Sequence, residues 1–261
     1  MDLGLKGKVA LVFGASGGLG GAMALSLAQE GAKVVLAARN GAALSALAAG
    51  LRAKGADVLE LVWDLADLSA IEPNFAKIES AFGPVDILIN NTGGPPPSAA
   101  ANVAIDVWEA QFRAMVLSVM KITDRALPQM RARHWGRIIT SASSGVVAPI
   151  PNLGVSNALR ATLVGWSKTL AREVAGDGVT VNVILPGRIA TPRIAQLDAA
   201  RADREKIAVD DVVKQSLAQI PAGRYGDPAE YGDVVAFLAS TRASYITGTM
   251  MRVDGGYIAS I

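Results

Sequence analysis

The chain has 261 residues, 51% of them apolar, with 25 Lys+Arg against 23 Asp+Glu and no cysteine. A sizeable core is within reach, whereas the near-neutral balance, with no dense basic run, argues against a nucleic-acid surface, and the missing cysteines exclude disulfides, thiolate catalysis and cysteine metal sites. The first eight residues lack the shape of a signal peptide and no apolar run reaches the roughly 18 residues of a membrane span, so a cytoplasmic protein with no membrane partner is expected.

The first apolar run, Val9–Phe13, reads as a buried strand. Gly14, Gly18 and Gly20 follow it. A helical stretch, Gly20–Glu30, stops at Gly31, and Lys33–Ala38 reads as the next strand. In such a βαβ unit the first turn has no side chains in the way, so backbone N–H groups and a helix N-terminus can meet a pyrophosphate. The spacing is G-x-x-x-G-x-G rather than the commonest dinucleotide fingerprint, and a turn needed only for tight packing would read the same. Further strands are expected at Val58–Val62, Ile87–Asn90, Arg137–Thr140, Val179–Leu185 and Thr249–Val253. Helices are expected at Ala42–Lys54, Leu68–Phe82, Ile105–Arg133, Ser156–Ala175 and Ala229–Ala239. This alternation predicts an α/β fold: a single doubly wound Rossmann domain over 1–261, with a parallel seven-stranded sheet and helices on both faces. The irregular stretch Ile189–Tyr225 is bounded by Pro192 and Pro221 and reads as helical over Arg201–Gln219. It follows a strand's C-terminal end, where a substrate lid would sit; a plain surface excursion is the other reading.

Several motifs stand in one order. They are the glycine run, Asp64 after the third strand, Asn90-Asn91-Thr92-Gly93 after the fourth, Val181-Asn182, Pro186-Gly187, Thr191, Thr247-Gly248 and Val253-Asp254-Gly255-Gly256. In these the chain resembles the short-chain dehydrogenase/reductases along nearly its whole length. Ser167–Glu173 is similar to the 3-oxoacyl-acyl-carrier-protein reductase-like members. The resemblance implies that Gly14, Ser16, Gly18, Leu19 and Gly20 hold a pyrophosphate, and that Asp64 and Leu65 bracket adenine. It places Asn90 and Gly93 along the adenosine ribose and the adjoining strand end, and Pro186, Gly187, Ile189 and Thr191 against nicotinamide. Phe13 stands where the family usually has Thr, so a hydroxyl that ties adjacent strands is lost. The second strand ends Ala37-Ala38-Arg39-Asn40, with no carboxylate for ribose hydroxyls. Arg39 instead suits a phosphate, which favours NADP(H) over NAD(H).

The family's catalytic residues carry over poorly. Counting from Ser167–Glu173 without gaps, Ser143 keeps the family's Ser. Ser156 falls at the Tyr position, Arg160 at the Lys position and Met115 at the helix Asn position: a degenerate tetrad. None of Tyr225, Tyr231, Tyr245 and Tyr257 is near this stretch in sequence. A serine side chain is roughly 4 Å shorter than tyrosine and a much weaker acid than a phenol. Arg160 can bind a ribose hydroxyl or an oxyanion, but a guanidinium does not give up its proton at useful pH. Four residues apart on a helix, Ser156 and Arg160 share a face. The expected function is NADP(H)-dependent reduction of a carbonyl, 3-oxoacyl-like or another apolar ketone. The proton would come from water held by Ser143, Ser156 and Arg160, aided by Asn157 or a lid group. Two other readings stay open: an NADP(H)-binding sensor or scaffold without turnover, and a cofactor-free lyase like the halohydrin dehalogenases.

The remaining features read as structural. His134, the one histidine, sits at a helix end, where a cation complements the dipole. No metal site is expected. Gly93–Ser98, with three prolines, reads as a rigid wall of the substrate pocket, a plain loop being the other reading. The apolar Val146–Pro151 suggests a greasy substrate and disfavours a highly charged one. Trp108, Trp166 and Met115 read as core or subunit interface. Ala236–Tyr257 contributes, in the family, an edge strand that pairs across a two-fold, so a homotetramer or homodimer is expected.

Overall fold

Each expected strand forms within one residue of its expected bounds. They are β1 (Val9–Phe13), β2 (Lys33–Ala38), β3 (Val58–Val62), β4 (Ile87–Asn90), β5 (Gly136–Ser141), β6 (Val179–Pro186) and β7 (Met250–Val253). A computed structural model describes residues 2–260; Met1 and Ile261, the ends of the expected domain span, lie outside the described residues. The strands form one sheet in the order β3-β2-β1-β4-β5-β6-β7, with every neighbouring pair parallel. Strands of this kind are covered on both faces, which is why they read as unbroken apolar runs.

The pleat sends alternate side chains to two cores. Ala10, Val12, Leu36 and Ile89 meet α1 (Gly18–Gln29), α2 (Gly41–Arg52) and α9 (Pro228–Ala239) on one face. Leu11, Val35, Leu88 and Ile138 meet α3 (Ile71–Phe82), α5 (Ser118–Ala132) and α6 (Gly154–Val174) on the other. From β1 the chain winds one way to β2 and β3, and from β4 onward the other way. The crevice at the C-terminal ends of β1 and β4 is therefore the switch point where such sheets take their ligands.

Two expected helices are corrected. Ile105–Arg133 is not one helix: α4 (Ile105–Phe112) passes through a π turn, Arg113–Leu117, into α5. There the Ser118 hydroxyl donates to the Ala114 carbonyl at 2.7 Å, so a side chain enters the backbone ladder. Arg201–Gln219 is likewise two elements, α7 (Pro192–Glu205) and α8 (Val209–Ala218). Lys206 ends α7 in the left-handed region, φ 57°, which turns α8 back against it and buries Ala202 and Val212. No helix of the described residues is long and apolar enough to cross a membrane.

Candidate active site

The glycine turn after β1 folds back on itself. Gly14 and Gly18 take φ of +64° and +54°, conformations costly to residues with a Cβ. A Cβ on Gly20 would stand 2.0 Å from the Gly14 carbonyl oxygen, so α1 can start this close to β1 only with hydrogen there. Above Gly17, by contrast, a Cβ would meet nothing within 4 Å. The N-terminus of α1 thus opens onto empty cleft with its first N–H groups unobstructed, a site that favours anions.

Two cavities meet along this turn, sharing Ser16, Asn91, Thr92, Gly93 and Gly94. The first, about 680 Å³, gathers Gly14, Ser16, Arg39, Asp64, Leu65, Gly93 and Met115. Arg39 makes no ion pair among the described residues. The second, about 630 Å³, gathers Ser16, Gly18, Leu19, Gly20, Ser143, Ser156, Arg160, Pro186, Gly187, Ile189 and Thr191. Every expected site residue but one therefore lines a cavity. The exception, Asn90, is 1% exposed and turns its amide to Thr123 of α5 at 3.4 Å. Its neighbour Asn91 faces both cavities instead, because alternate residues of a strand face opposite ways. Asn91 also ties the end of β4 to β1: its Nδ2 donates to the Phe13 carbonyl at 3.1 Å. The Phe13 ring itself packs edge-on against Trp63, 4.9 Å between centroids.

Ser143, Ser156 and Arg160 come together as the helix-face argument expects, and the hydrogen bonds give each a state. Arg160, 9% exposed, reaches back under the cavity floor. Its Nη1 donates to the Ser141 carbonyl at 3.1 Å, and its Nη2 to those of Gly93 and Thr92 at 3.2 and 3.4 Å. Its Nε donates to Ser156 Oγ at 3.3 Å, which leaves the Ser156 hydroxyl hydrogen free to point into the cavity. Ser143 Oγ accepts from Gly145 N–H at 3.0 Å and keeps its own hydrogen available in the same way. Burial, with a smaller push from Arg193, lowers Arg160 to about 10, so it stays charged at neutral pH. Asn157 does not reach the cavity: its Nδ2 donates to the Ile150 carbonyl at 2.9 Å and fixes the 144–153 loop.

Residues distant in sequence complete the site. The tyrosines are nearer than their numbers suggest. Tyr257 lines the second cavity, and the fully buried Tyr231 hydroxyl lies 2.9 Å from Ser141 Oγ, directly behind it. Burial pushes the Tyr231 phenol up. The Gly93–Ser98 wall is pinned at its far end, where Ser98 N–H donates to the Asn152 carbonyl and Gly154 N–H to the Ser98 carbonyl, both at 2.9 Å. α7 forms the roof, capped by the Thr191 hydroxyl. It is fastened by Asp198, 2% exposed, whose carboxylate pairs with Arg188 and accepts from the Tyr225 hydroxyl at 2.9 Å.

Only part of the expected apolar loop lines the cavity. Val146 and Val147 turn away to pack on Ala142, Val183 and Leu185, leaving Ile150, Pro151 and Leu153 as that loop's apolar contribution. The roof and floor supply Arg160, Arg188, Arg193, Arg201 and Arg204, against Asp198 as the one acidic lining residue. Four arginines between positions 188 and 204 are visible in the sequence. That they share one cavity follows from α7 lying across it, with Arg193, Leu197, Arg201 and Arg204 on one helical face. No lysine or histidine lines the cavity, and no cluster of three His, Cys, Asp or Glu able to hold a metal exists among the described residues.

Comparison with known proteins agrees with this architecture. A family model described as enoyl-(acyl carrier protein) reductase matches residues 14–258. The chain is 40% identical over 255 residues to the 3-oxoacyl-[acyl-carrier-protein] reductase FabG of Escherichia coli, covering 96% of this chain and 97% of that one. Its fold is similar to that of YwfH, an NADPH-dependent reductase involved in bacilysin biosynthesis, with a TM-score of 0.93, 34% identity and 97% and 99% of the two chains covered. It is as close to the L-sorbose reductase of Gluconobacter frateurii, solved with NADPH and L-sorbose, with a TM-score of 0.94, 34% identity and both chains covered in full. On sequence and fold alike, the chain belongs to the short-chain dehydrogenase/reductase family.

Proposed function

We propose that this protein is an NADP(H)-dependent reductase that converts a carbonyl to an alcohol at the floor of the second cavity. The observation that carries the reading is the meeting of Ser143, Ser156 and Arg160 beside an open glycine turn in a chain of this family. The residues present fit the cofactor: space above Gly17 and Gly93 for a pyrophosphate, and the Arg39 guanidinium at the end of β2 for a 2′-phosphate. When bound, NADPH supplies the hydride.

The chain's own part is to hold the carbonyl and receive its charge. The hydroxyls of Ser143 and Ser156 donate to the carbonyl oxygen. Arg160, donating to Ser156 Oγ, polarises that hydroxyl and sharpens its donation as negative charge grows on the substrate. With Ser156 where the family's Tyr would stand and Arg160 where its Lys would stand, the site offers stabilisation of an alkoxide more than a strong acid. We assign the proton to water held at these hydroxyls. The absence of cysteine suits a reducing compartment, and we place the activity in the cytoplasm. The exposed Ile105 and Phe112, seven residues apart on one face of α4, support a homo-oligomer.

The test is a titration with NADPH and NADH followed by nicotinamide fluorescence, then a carbonyl screen. Tight NADPH binding with NADPH oxidation by a ketone is the expected result. NADPH binding without turnover of any carbonyl supports the sensor or scaffold reading, and no binding of either dinucleotide overturns the cofactor-dependent reading altogether.

A further inference from the structure

Of the five arginines lining the second cavity, three are answered by carboxylates. Arg188 pairs with Asp198, and Arg201 and Arg204 with Glu205. Arg160 and Arg193 have no carboxylate within 4.0 Å among the described residues. Their partners are neutral: carbonyl oxygens and Ser156 Oγ for Arg160, and the Pro95 carbonyl at 3.3 Å for Arg193. A guanidinium as deeply set as Arg160 and lacking a counter-ion is costly to desolvate, and an arriving anion relieves that cost.

Gly94 gives the geometry. The point its Cβ would occupy lies 3.7 Å from Arg193 Nη2 and 3.8 Å from Arg160 Nη2. The two guanidinium ends therefore face one gap, one from the floor and one from the first turn of α7. Arg160 Nη2 spends one of its two hydrogens on the Thr92 carbonyl at 3.4 Å, the longest bond the guanidinium makes; giving that bond up lets it donate to one carboxylate oxygen at about 2.8 Å while Arg193 donates to the other. The N-terminal end of α7 adds its own partial positive charge. The glycine turn holds its anion with backbone N–H groups, so neither of these side chains is required there.

We propose that the substrate is an oxo acid, and that Arg160 and Arg193 clamp its free carboxylate over Gly94 while its carbonyl meets Ser143 and Ser156. A neutral ketone or a thioester would leave both guanidinium groups unanswered. That the bound anion is a substrate rests on the reductase reading; the anion site does not.

The test compares 2-, 3- and 4-oxooctanoate with their methyl esters. The best acid is expected to exceed its ester in kcat/KM by about 10- to 100-fold, the span of one charge-assisted pair. Arg193 is exposed, so Arg193→Gln folds; it removes most of that preference and changes the Kd for NADPH less than twofold, while Arg193→Lys restores part of it. Equal use of acid and ester by the wild type overturns the proposal. So does an Arg193→Gln variant that weakens NADPH as much as the acid, which assigns Arg193 to the cofactor's phosphates. Calorimetry with octanoate and methyl octanoate, with and without NADP+, separates the two readings. Binding of octanoate alone, lost in Arg193→Gln, upholds the anion site even where no carbonyl is reduced. Reduction of neutral ketones without octanoate binding upholds the reductase and removes the anion site.

Discussion

The two halves of the cleft are built to recognise by different means. On the β1 side a turn of glycines and an open helix N-terminus present backbone, with the side chains of Arg39, Asp64, Leu65 and Met115 around it. On the α7 side, side chains dominate: five arginines, four serines and a carboxylate, brought in from three separate stretches of sequence. Backbone recognition depends on spacing and leaves a pattern in the sequence. Side-chain recognition depends on which helix lies over which loop, and leaves none until the chain is folded.

Mutations break that contrast to different degrees. Gly20→Ala attacks the backbone half where no adjustment is available, since the new Cβ would lie 2.0 Å from a carbonyl oxygen. A loss of about 3 kcal/mol, or roughly 6–12 °C in Tm, is expected by calorimetry, with dinucleotide binding abolished. Arg39→Asp leaves the turn intact and changes only the rim. The Kd for NADPH should rise on the order of 10- to 100-fold and that for NADH should fall, and unchanged selectivity would remove Arg39 from the phosphate role.

On the side-chain half, Asp198→Asn removes the one carboxylate that fastens the roof. Breaking a buried pair costs more than an exposed one, but Arg188 keeps 21% of its side-chain surface exposed, so about 2 kcal/mol is expected. The loss should appear as faster amide exchange in α7, with β1 unaffected. A smaller effect comes from pH. Arg160 is held down to about 10 by burial, so it is charged below that pH and neutral above it. Substrate binding that uses its charge should be flat from pH 7 to 9 and weaken as pH rises through about 10, with NADPH binding less affected. A loss of binding complete by pH 9 would assign the pH dependence to another group. Finally, Phe112→Asp tests the exposed apolar face of α4. A shift from tetramer or dimer toward monomer by light scattering is expected, and a monomeric wild type at micromolar concentration would refute the expected assembly.

The sheet, its parallel order and its crevice were legible because apolar runs and glycine spacing answer to local physics. A strand covered on both faces must be apolar throughout, and α1 cannot approach β1 unless Gly20 lacks a side chain. The same local rules found Ser156 and Arg160 on one helix face and the pocket wall at Gly93–Ser98. They could not see that Ser118 would open a π turn, that Lys206 would divide the expected 201–219 helix, or that Asn91 rather than Asn90 would face the cleft. Nor could they see Val146 and Val147 turning inward while α7 brought its arginines over the floor, which set five guanidinium groups among the apolar residues of the lining. Those outcomes depend on which surfaces win burial when helices compete for the same sheet edge. That competition is settled by packing across long sequence separations, and the distance between Arg160 and Arg193 along the chain holds no trace of the gap they share over Gly94.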